Sequence, residues 1–358
     1  MNLRKIVSFA FLIFIPLSIV AQYYNWGTTA VFWTSTLSII PLSIWLSTAV
    51  ERVAVVTGPS LGGLVNAVFG NATFLIITLS ALRKGLVDIV QASITGSIIG
   101  DLLIFLGIGM LTGGIKYKEQ TFKPILARVN GSSLTLAVVA MALPTLVIYT
   151  SNVVEASAIE NLSIVVSSIL LIVYGLTLLF ALKTHSYLYE VGVANETDEA
   201  GELAKSRVGI WIGILLAATI AVAYESDLFV NVVESVMEGF QLTPLFIGVI
   251  FLPLISDVAG IVTVTQLSLK NQMDLTVSVA MGDSLLIALF VAPVLVFIGQ
   301  FYGLPMDLNF NPFNVVALIV TTIVTNLITF TGRSNWLDGT LLLATYLILA
   351  VAFYYHPA

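Results

Sequence analysis

Runs of about 20 apolar residues follow one another along most of this chain, and they limit what it can fold into. A helix needs about 20 residues to cross roughly 30 Å of hydrocarbon. Because there is no water at that depth, backbone polar groups must bond within the segment, and helices meet this requirement. A membrane β-barrel would instead show segments of about ten residues with alternating polarity. The runs therefore predict an all-α polytopic membrane protein.

The composition supports the same fold class. Of the 358 residues, 58% are hydrophobic and only 9% are charged, whereas a soluble domain carries roughly a quarter charged residues. There is no cysteine, which excludes disulfides, thiolate metal sites and cysteine nucleophiles. We find no phosphate-binding loop, no nucleophile beside a base and no basic patch for nucleic acid. The sequence thus predicts neither an enzyme nor a bound cofactor. The protein is expected to lie in the lipid bilayer.

The apolar pattern predicts eleven spans, most of them joined by short polar connections. The seventh span is long and contains Glu225, Asp227 and Glu234, so it is expected to tilt, break or extend beyond the bilayer. The spans are predicted at 6–22, 30–51, 61–82, 86–112, 126–150, 160–183, 208–238, 243–268, 274–300, 313–331 and 337–355.

The distribution of positive charge predicts the orientation, because cytoplasmic connections carry an excess of Lys and Arg. With the N-terminus inside and eleven spans, 12 of the 14 basic residues fall inside and only Arg83 and Lys84 fall outside. The C-terminus is then outside. We expect a multi-pass protein of a bacterial-type cell membrane.

An internal repeat is visible when the third and fourth spans are aligned without a gap on the eighth and ninth. Gly62 then meets Gly248, Lys84 meets Lys270, Asp88 meets Asp274 and Gly96 meets Gly282. Because each copy has five spans, an odd number, the second copy is predicted to be inverted, as in many secondary transporters. The alternative is a chance alignment of two helical hairpins. The predicted domains are an N-terminal helix (1–29), a first five-helix repeat (30–184), an acidic cytoplasmic loop (185–207) and a second five-helix repeat (208–358).

Three acidic residues lie deep inside apolar runs of the repeated segments: Asp101, Asp257 and Asp283. An ionised side chain near the bilayer centre costs at least ~2.5–3.5 kcal/mol. No Lys or Arg lies in these spans away from their ends, so a bound cation or a proton is the expected partner. The alternative is that each Asp is protonated and hydrogen-bonded to a neighbouring helix.

Neutral oxygens that could complete a cation site lie beside these acids. Carboxylate, amide and hydroxyl oxygens suit hard cations such as Ca²⁺. We therefore predict an ion site near the midplane of the bilayer, and Thr73 and Ser284 are further oxygen donors. The predicted ligands are Asn71, Ser97, Asp101, Asp257 and Asp283.

Several strings of this sequence resemble the calcium/proton exchangers of the calcium/cation antiporter superfamily. The resemblance covers nearly the whole chain, and it implies eleven spans in an inverted repeat and exchange of Ca²⁺ for protons, with no resident cofactor. The strings lie at Thr57–Thr73 (TGPSLGGLVNAVFGNAT), Ala92–Gly100 (ASITGSIIG), Ile287–Pro293 (IALFVAP), Pro305–Pro312 (PMDLNFNP) and Gly332–Gly339 (GRSNWLDG).

The ion-binding motifs depart from the pattern that the resemblance implies. That pattern has a glutamate in span 3 and another in span 8, but here the positions hold Phe74 and Gly260. Asp101, Asp257 and Asp283 replace neutral polar residues of the family pattern. In one interpretation the site has moved and cation/proton antiport is kept, with Ca²⁺ as the cation. In the other, the chain is a scaffold or sensor that has lost Ca²⁺/H⁺ exchange or uses another cation.

Overall fold

A computed structural model describes residues 8–151, 155–189, 208–304 and 306–356. Contacts divide the chain into two compact units. The first comprises the described residues of Met1–Lys84, Leu178–Leu242 and Leu254–Val262, and the second comprises those of Gly85–Thr177, Thr243–Pro253 and Thr263–Ala358. Residues 1–7 of the predicted N-terminal domain and residues 190–207 of the predicted acidic loop lie outside the described residues. The predicted repeat boundaries stay a prediction, since these units follow packing and not the order of the spans.

The part of the chain before residue 190 consists almost entirely of helices. Short π-helical segments, in which each turn has an extra residue, continue two of them. The elements are α1 (Phe14–Tyr23), α2 (Thr28–Phe69), α3 (Ala72–Arg83), α4 (Val87–Ile99), π1 (Gly100–Phe105), α5 (Leu106–Tyr117), β1 (Glu119–Thr121), α6 (Pro124–Ser151), α7 (Ala156–Leu179), π2 (Phe180–Thr184) and the short α8 (Ser186–Tyr189).

The part from residue 208 onward repeats this style of structure, again with π-helical segments between α-helices. A second strand pairs with β1 in an antiparallel ladder, in which Gln120 lies opposite Ser334. The elements are α9 (Val208–Phe240), α10 (Pro244–Phe246), π3 (Ile247–Phe251), α11 (Leu252–Ser256), α12 (Val258–Leu269), α13 (Met273–Leu286), π4 (Ile287–Val291), α14 (Ala292–Tyr302), α15 (Pro312–Thr329), β2 (Arg333–Asn335) and α16 (Trp336–Tyr355).

Each predicted span overlaps helical structure, but not every one is a single helix long enough to cross a membrane. Among the described residues, eight helices are long and apolar enough to cross a membrane, and the pair Pro244–Ser256 and Val258–Leu269, bent by 59°, makes a ninth if it counts as one span. The shorter apolar helix Ser8–Tyr23 coincides with the first predicted span. Another, Ala72–Arg83, coincides with the second half of the third predicted span. The all-α polytopic fold class is confirmed.

One predicted boundary differs from the structure. Spans 2 and 3 were expected to be separate, but α2 runs without interruption for 42 residues and continues through the predicted connection at 52–60. The helix ends instead at Phe69, before the Gly70-Asn71 pair. The seventh span shows no break, since α9 is one continuous helix of 33 residues that accommodates Glu225, Asp227 and Glu234.

In the first unit, α2 and α9 pack against each other over most of their lengths. They run antiparallel, because Phe32 stacks on Phe229 with ring centroids 5.2 Å apart while Arg52 lies over the ring of Trp211. The start of α3 joins them in an apolar cluster of buried side chains. Its members are Leu42, Leu46, Ala72, Ala218 and Val222.

In the second unit, glycines allow helix backbones to approach closely. A Cβ atom at Gly96 of α4 would lie only 2.2 Å from the carbonyl oxygen of Val249 in π3. Likewise, a Cβ at Gly339 of α16 would lie 2.3 Å from the backbone nitrogen of Leu111 in α5. Small residues at such crossings let membrane helices gain van der Waals contact that apolar solvent cannot replace.

The segments α3–α4–π1 and α12–α13–π4, which the repeat aligns, have the same backbone plan. Both turns place a residue with positive φ at the matching position, Gly85 at +79° and Asn271 at +60°. The helices after the turns start at the matching residues Val87 and Met273, and both continue into a π-helical segment, π1 and π4. Matched turns and matched π-segments support the repeat predicted from the sequence.

Candidate functional site

Asn71 lies at a break between two helices of the first unit. Gly70 and Asn71 separate α2 from α3, so Asn71 occupies the residue before α3 with φ −111° and ψ 35°. Its side chain is buried, makes no hydrogen bond to the start of α3, and its amide nitrogen has no partner among the described residues. A buried amide with an unsatisfied end suits a polar ligand, because leaving it unsatisfied costs free energy.

Asp257 lies at the corresponding break of span 8, also in the first unit. It separates α11 from α12, where the span bends by 59°. Its Oδ1 accepts a hydrogen bond of 2.9 Å from the backbone nitrogen of Gly260. This is the geometry of a helix N-cap, and the positive end of α12 favours a negative charge here. The half-buried Asp257 therefore combines a capping role with a carboxylate at mid-span.

Asp101 is the most deeply buried of the predicted acidic ligands, with 3% of its surface exposed. It lies in π1 of the second unit, and such π-helical segments occur frequently at functional sites because they redirect side chains. Ser284 of α13 is fully buried and its Oγ lies 3.5 Å from Asp101 Oδ2, at the outer limit of a hydrogen bond. Ser284 also donates to the Ala280 carbonyl oxygen at 3.1 Å.

Ser97 and Asp283 lie on the two helices that meet at Asp101. Ser97 is buried on α4, one turn before Asp101. Asp283 is half-buried on α13 and directly precedes Ser284. The second unit thus brings two carboxylates and two hydroxyls to the region where α13 packs against π1.

The structure accordingly places Asn71 and Asp257 in the first unit, and Ser97, Asp101 and Asp283 in the second. Within the described residues, no group of three or more His, Cys, Asp and Glu side chains is arranged to hold a metal ion. A cation bound by these residues would therefore take most of its ligands from hydroxyl, amide and backbone oxygens, which Ca²⁺ accepts. The five-residue site stays a prediction.

Buried hydroxyls near Asp101 were not among the predicted ligands. Thr321 and Thr325 of α15 and Thr95 of α4 are fully buried, and no partner for their hydroxyls is found in the described part of the chain. In the second unit α15 packs against both α4 and π1. The sequence feature that could have revealed them is the four-residue spacing of Thr321 and Thr325, which places two hydroxyls on one face of an apolar helix.

A polar cavity of about 350 Å³ lies in the second unit near the ends of the spans, where α4 begins and α15 begins. Asp88, Gln91 and Asn314 are among its lining residues. Beside it, Asp307 Oδ1 accepts hydrogen bonds from Gln91 Nε2 and from the Asn309 backbone nitrogen, each 3.0 Å long. Burial raises the pKa of Asp307, and these two hydrogen bonds oppose the shift.

The model of the sodium/calcium exchanger protein family matches residues 27–183 and 210–355 of this chain. The chain belongs to this family. It is 49% identical over 364 residues to the Ca²⁺/H⁺ antiporter of Aphanothece halophytica, covering 99% of this chain and 98% of that protein. It is 39% identical over 341 residues to the Ca²⁺/H⁺ antiporter ChaA of Bacillus subtilis, covering 95% and 96%.

Solved structures agree with this assignment. Native YfkE superposes with a TM-score of 0.83 at 35% identity, covering 98% of this chain and 99% of that chain. The H⁺/Ca²⁺ exchanger CAX gives a TM-score of 0.73 over 98% and 92%, and at 12% identity this match concerns the fold alone. The resemblance to the calcium/proton exchangers, predicted from the motif strings, is confirmed.

Proposed function

We propose that this member of the family is a secondary antiporter that exchanges Ca²⁺ for protons across a membrane. The observation that carries the proposal is the match of 49% identity to a Ca²⁺/H⁺ antiporter over essentially the full length of both chains. Two of the relatives are Ca²⁺/H⁺ antiporters, a class of transporter. The alternative of a scaffold without transport is not favoured, because a non-transporting scaffold has no need of carboxylates at mid-span.

The ion site of this proposal consists of Asn71, Ser97, Asp101, Asp257 and Asp283. A buried carboxylate is stable in a low-dielectric region only when a proton or a cation neutralises it. Ca²⁺ and protons therefore compete for the same oxygens, and this competition couples their movements. The helix breaks at Asn71 and Asp257 support the proposal, since interrupted helices expose backbone groups to transported ions.

The cap at Asp257 gives this residue a distinct part in the proposal. The Gly260 amide and the positive end of α12 stabilise its ionised form. Asp101 is instead the most deeply buried of the three aspartates, with 3% of its surface exposed, and burying a charge is costly. We therefore propose that Asp257 stays ionised during exchange. Asp101 loses its proton when the cation binds and regains it when the cation leaves.

Transport is tested with the purified full chain in liposomes whose interior is acidic, with ⁴⁵Ca²⁺ outside. The proposal expects uptake that depends on the pH gradient and ends when a protonophore removes it. Glu238→Gln, an exposed position at the end of α9, should transport as the wild type does. Asp101→Asn should not transport. Uptake that does not depend on the pH gradient and is unchanged in Asp101→Asn contradicts the proposal.

We also propose that the N-terminus lies inside the cell and the C-terminus outside. The chain has no cysteine, so a single introduced thiol reports its own side of the membrane. Lys84→Cys is expected to react with an impermeant maleimide added outside intact cells, and Lys118→Cys only after the membrane is opened. The reverse pattern would show the opposite orientation.

A further inference from the structure

Glu225 is a buried carboxyl group that the proposed ion site does not use. It lies near the middle of α9, the 18th of 33 residues, and 1% of its surface is exposed. Its neighbours on the same helix, Tyr224 and Asp227, are exposed. The sequence showed an acid inside an apolar span, but it did not show that this acid points into the first unit and not toward lipid or water.

Two serines of neighbouring helices contact this carboxyl. Ser18 of α1 is fully buried, and its Oγ lies 2.6 Å from Glu225 Oε1. Ser38 of α2 is also fully buried and lies close enough to interact with the same carboxyl group. Glu225 Oε2 has no hydrogen-bond partner among the described residues. Within the part of the chain that the structure describes, the carboxyl is therefore enclosed by three helices and has only hydroxyl partners.

The number of hydrogens available decides which group donates. Each serine hydroxyl has one hydrogen, and a backbone carbonyl oxygen can only accept. Ser18 Oγ lies 2.8 Å from the Ile15 carbonyl oxygen, and Ser38 Oγ lies 2.7 Å from the Ser35 carbonyl oxygen. If these carbonyls receive the serine hydrogens, the short contact between Ser18 and Glu225 requires a hydrogen on Glu225.

The unsatisfied Oε2 atom favours the same assignment. In the ionised form both oxygens share the negative charge, and a charged oxygen without a donor is costly inside a protein. In the protonated form, one oxygen donates to Ser18 and the other is an uncharged carbonyl oxygen. The geometry thus fits a neutral carboxylic acid.

Charged groups on the surrounding helices do not alter this assignment. On α2 the ionisable residues are Glu51 and Arg52, which lie about 20 Å or more along the helix from Ser38. Of the residues in α3 and α1, only Arg83 and Tyr23 are ionisable, and each lies at the end of its helix. Among the described residues of these helices, no cation therefore lies beside the carboxyl group of Glu225.

The helix that carries Glu225 packs against α3, which begins after the break at Asn71. One helical turn before Glu225 on α9 is Val222, which belongs to the same apolar cluster as Ala72, the first residue of α3. Among the described residues, Asn71 has an unsatisfied donor and Glu225 has an unsatisfied acceptor.

We propose that Glu225, with Ser18 and Ser38, is a proton-binding site of the first unit that is protonated in this conformation and releases its proton during the transport cycle. The claim that Glu225 releases its proton during transport rests on the proposed antiport. The claim that Glu225 binds an exchangeable proton does not. The carboxyl O–H bond breaks, the proton leaves to water or a neighbouring acceptor, and a carboxylate remains.

Infrared spectroscopy of the purified full chain in lipid tests the proton directly. A protonated carboxyl gives a C=O band that shifts in heavy water. We expect one component of this band at neutral pH to be absent in Glu225→Gln, present in the control Glu238→Gln, and lost from the wild type as the pH rises to about 9. A spectrum that Glu225→Gln leaves unchanged, or a band that does not titrate, overturns the proposal.

Flux measurements with the same variants test the role in transport. Gln mimics a neutral Glu and keeps the contact with Ser18, so a purely structural acid tolerates this change. The proposal expects Glu225→Gln to flatten the dependence of Ca²⁺ flux on pH at least several-fold, and Glu225→Asp to restore part of it. An unchanged pH profile overturns the transport role. If the wild type moves no Ca²⁺, the proposed antiport fails and the infrared titration alone decides on Glu225.

Discussion

The two helix–turn–helix segments, residues 71–105 and 257–291, share a backbone plan and differ in packing and in the placement of acids. In the alignment of the repeat, Asn71 corresponds to Asp257 and Ser97 to Asp283, so each pair has one neutral and one acidic ligand. Asp101 corresponds to Ile287 and has no polar counterpart. The comparison teaches that the repeat constrains the backbone more strongly than the identity of the ligands.

The glycines at matching positions differ in what surrounds them. Gly96 faces the backbone of Val249, whereas its counterpart Gly282 has no heavy atom within 4 Å of an added Cβ among the described residues. One glycine is required by a helix crossing and the other is not. The same sequence signal, a glycine in an apolar run, therefore has different physical causes in the two segments.

The largest effect is expected at Asp101, a proposed ligand that one segment has and the other lacks. Asp101→Asn removes the charge and keeps the size of the side chain. Losing one partner of a buried charged contact weakens cation binding by about 2 kcal/mol or more, which corresponds to a fall of roughly 30-fold in the uptake rate. The initial rate of gradient-driven ⁴⁵Ca²⁺ uptake measures this. If uptake stays within about twofold of the wild type, Asp101 is not a ligand.

The glycine pair is expected to show the next largest effect, on stability. Gly96→Ala should lower the thermal midpoint in detergent strongly, because overpacking costs about 1–3 kcal/mol and backbone atoms here cannot move aside easily. Gly282→Ala should leave the midpoint unchanged or raise it, since Ala favours a helix by up to about 1 kcal/mol. Equal losses at the two positions would show that the packing difference is not real.

A smaller difference in stability is expected at the two helix breaks. Asp257→Ala removes the bond to the Gly260 amide and should cost about 1 kcal/mol, while Asn71→Ala removes no cap bond and should cost less. Asp257→Asn keeps the cap, so it should retain stability but lose exchange. An Asn variant that transports normally would mean that Asp257 acts only as a cap.

The smallest effect concerns Asp307, beside the polar cavity. Because burial raises its pKa, the folded protein binds this proton more tightly than the unfolded chain. Its contribution to stability is therefore complete at low pH and declines as the pH rises through the raised pKa. Asp307→Asn keeps an oxygen for Gln91 and Asn309, so its thermal midpoint relative to the wild type should increase from about pH 4 to about pH 7. A difference that does not change with pH contradicts this.

Much of the fold followed from the sequence, because span length and apolarity are set by the bilayer and are local properties. Most of the spans, the turns at Gly85 and Asn271 and the repeat could be predicted in this way. The continuous helix α2 could not, since the Gly58-Pro59 pair is typical of a connection and only the surrounding packing decides whether a helix continues.

The site was predictable in part. Aspartates at mid-span are visible in the sequence, because their cost in hydrocarbon does not depend on the fold. The cap at Asp257, the buried hydroxyls of Thr321 and Thr325, and the enclosure of Glu225 by two serines depend on how the helices break and pack in three dimensions. Periodicity alone cannot supply such contacts.

The central claim is that Ca²⁺ and protons compete at the proposed site, where Asp101 releases its proton as the cation binds. Calorimetric titration of the purified protein with Ca²⁺, in two buffers with different ionisation enthalpies, measures the protons released per ion bound. The account predicts a net release that falls in Asp101→Asn and is unchanged in Glu238→Gln. Binding of Ca²⁺ without proton release, or release that is the same in the Asp101 variant, would contradict it.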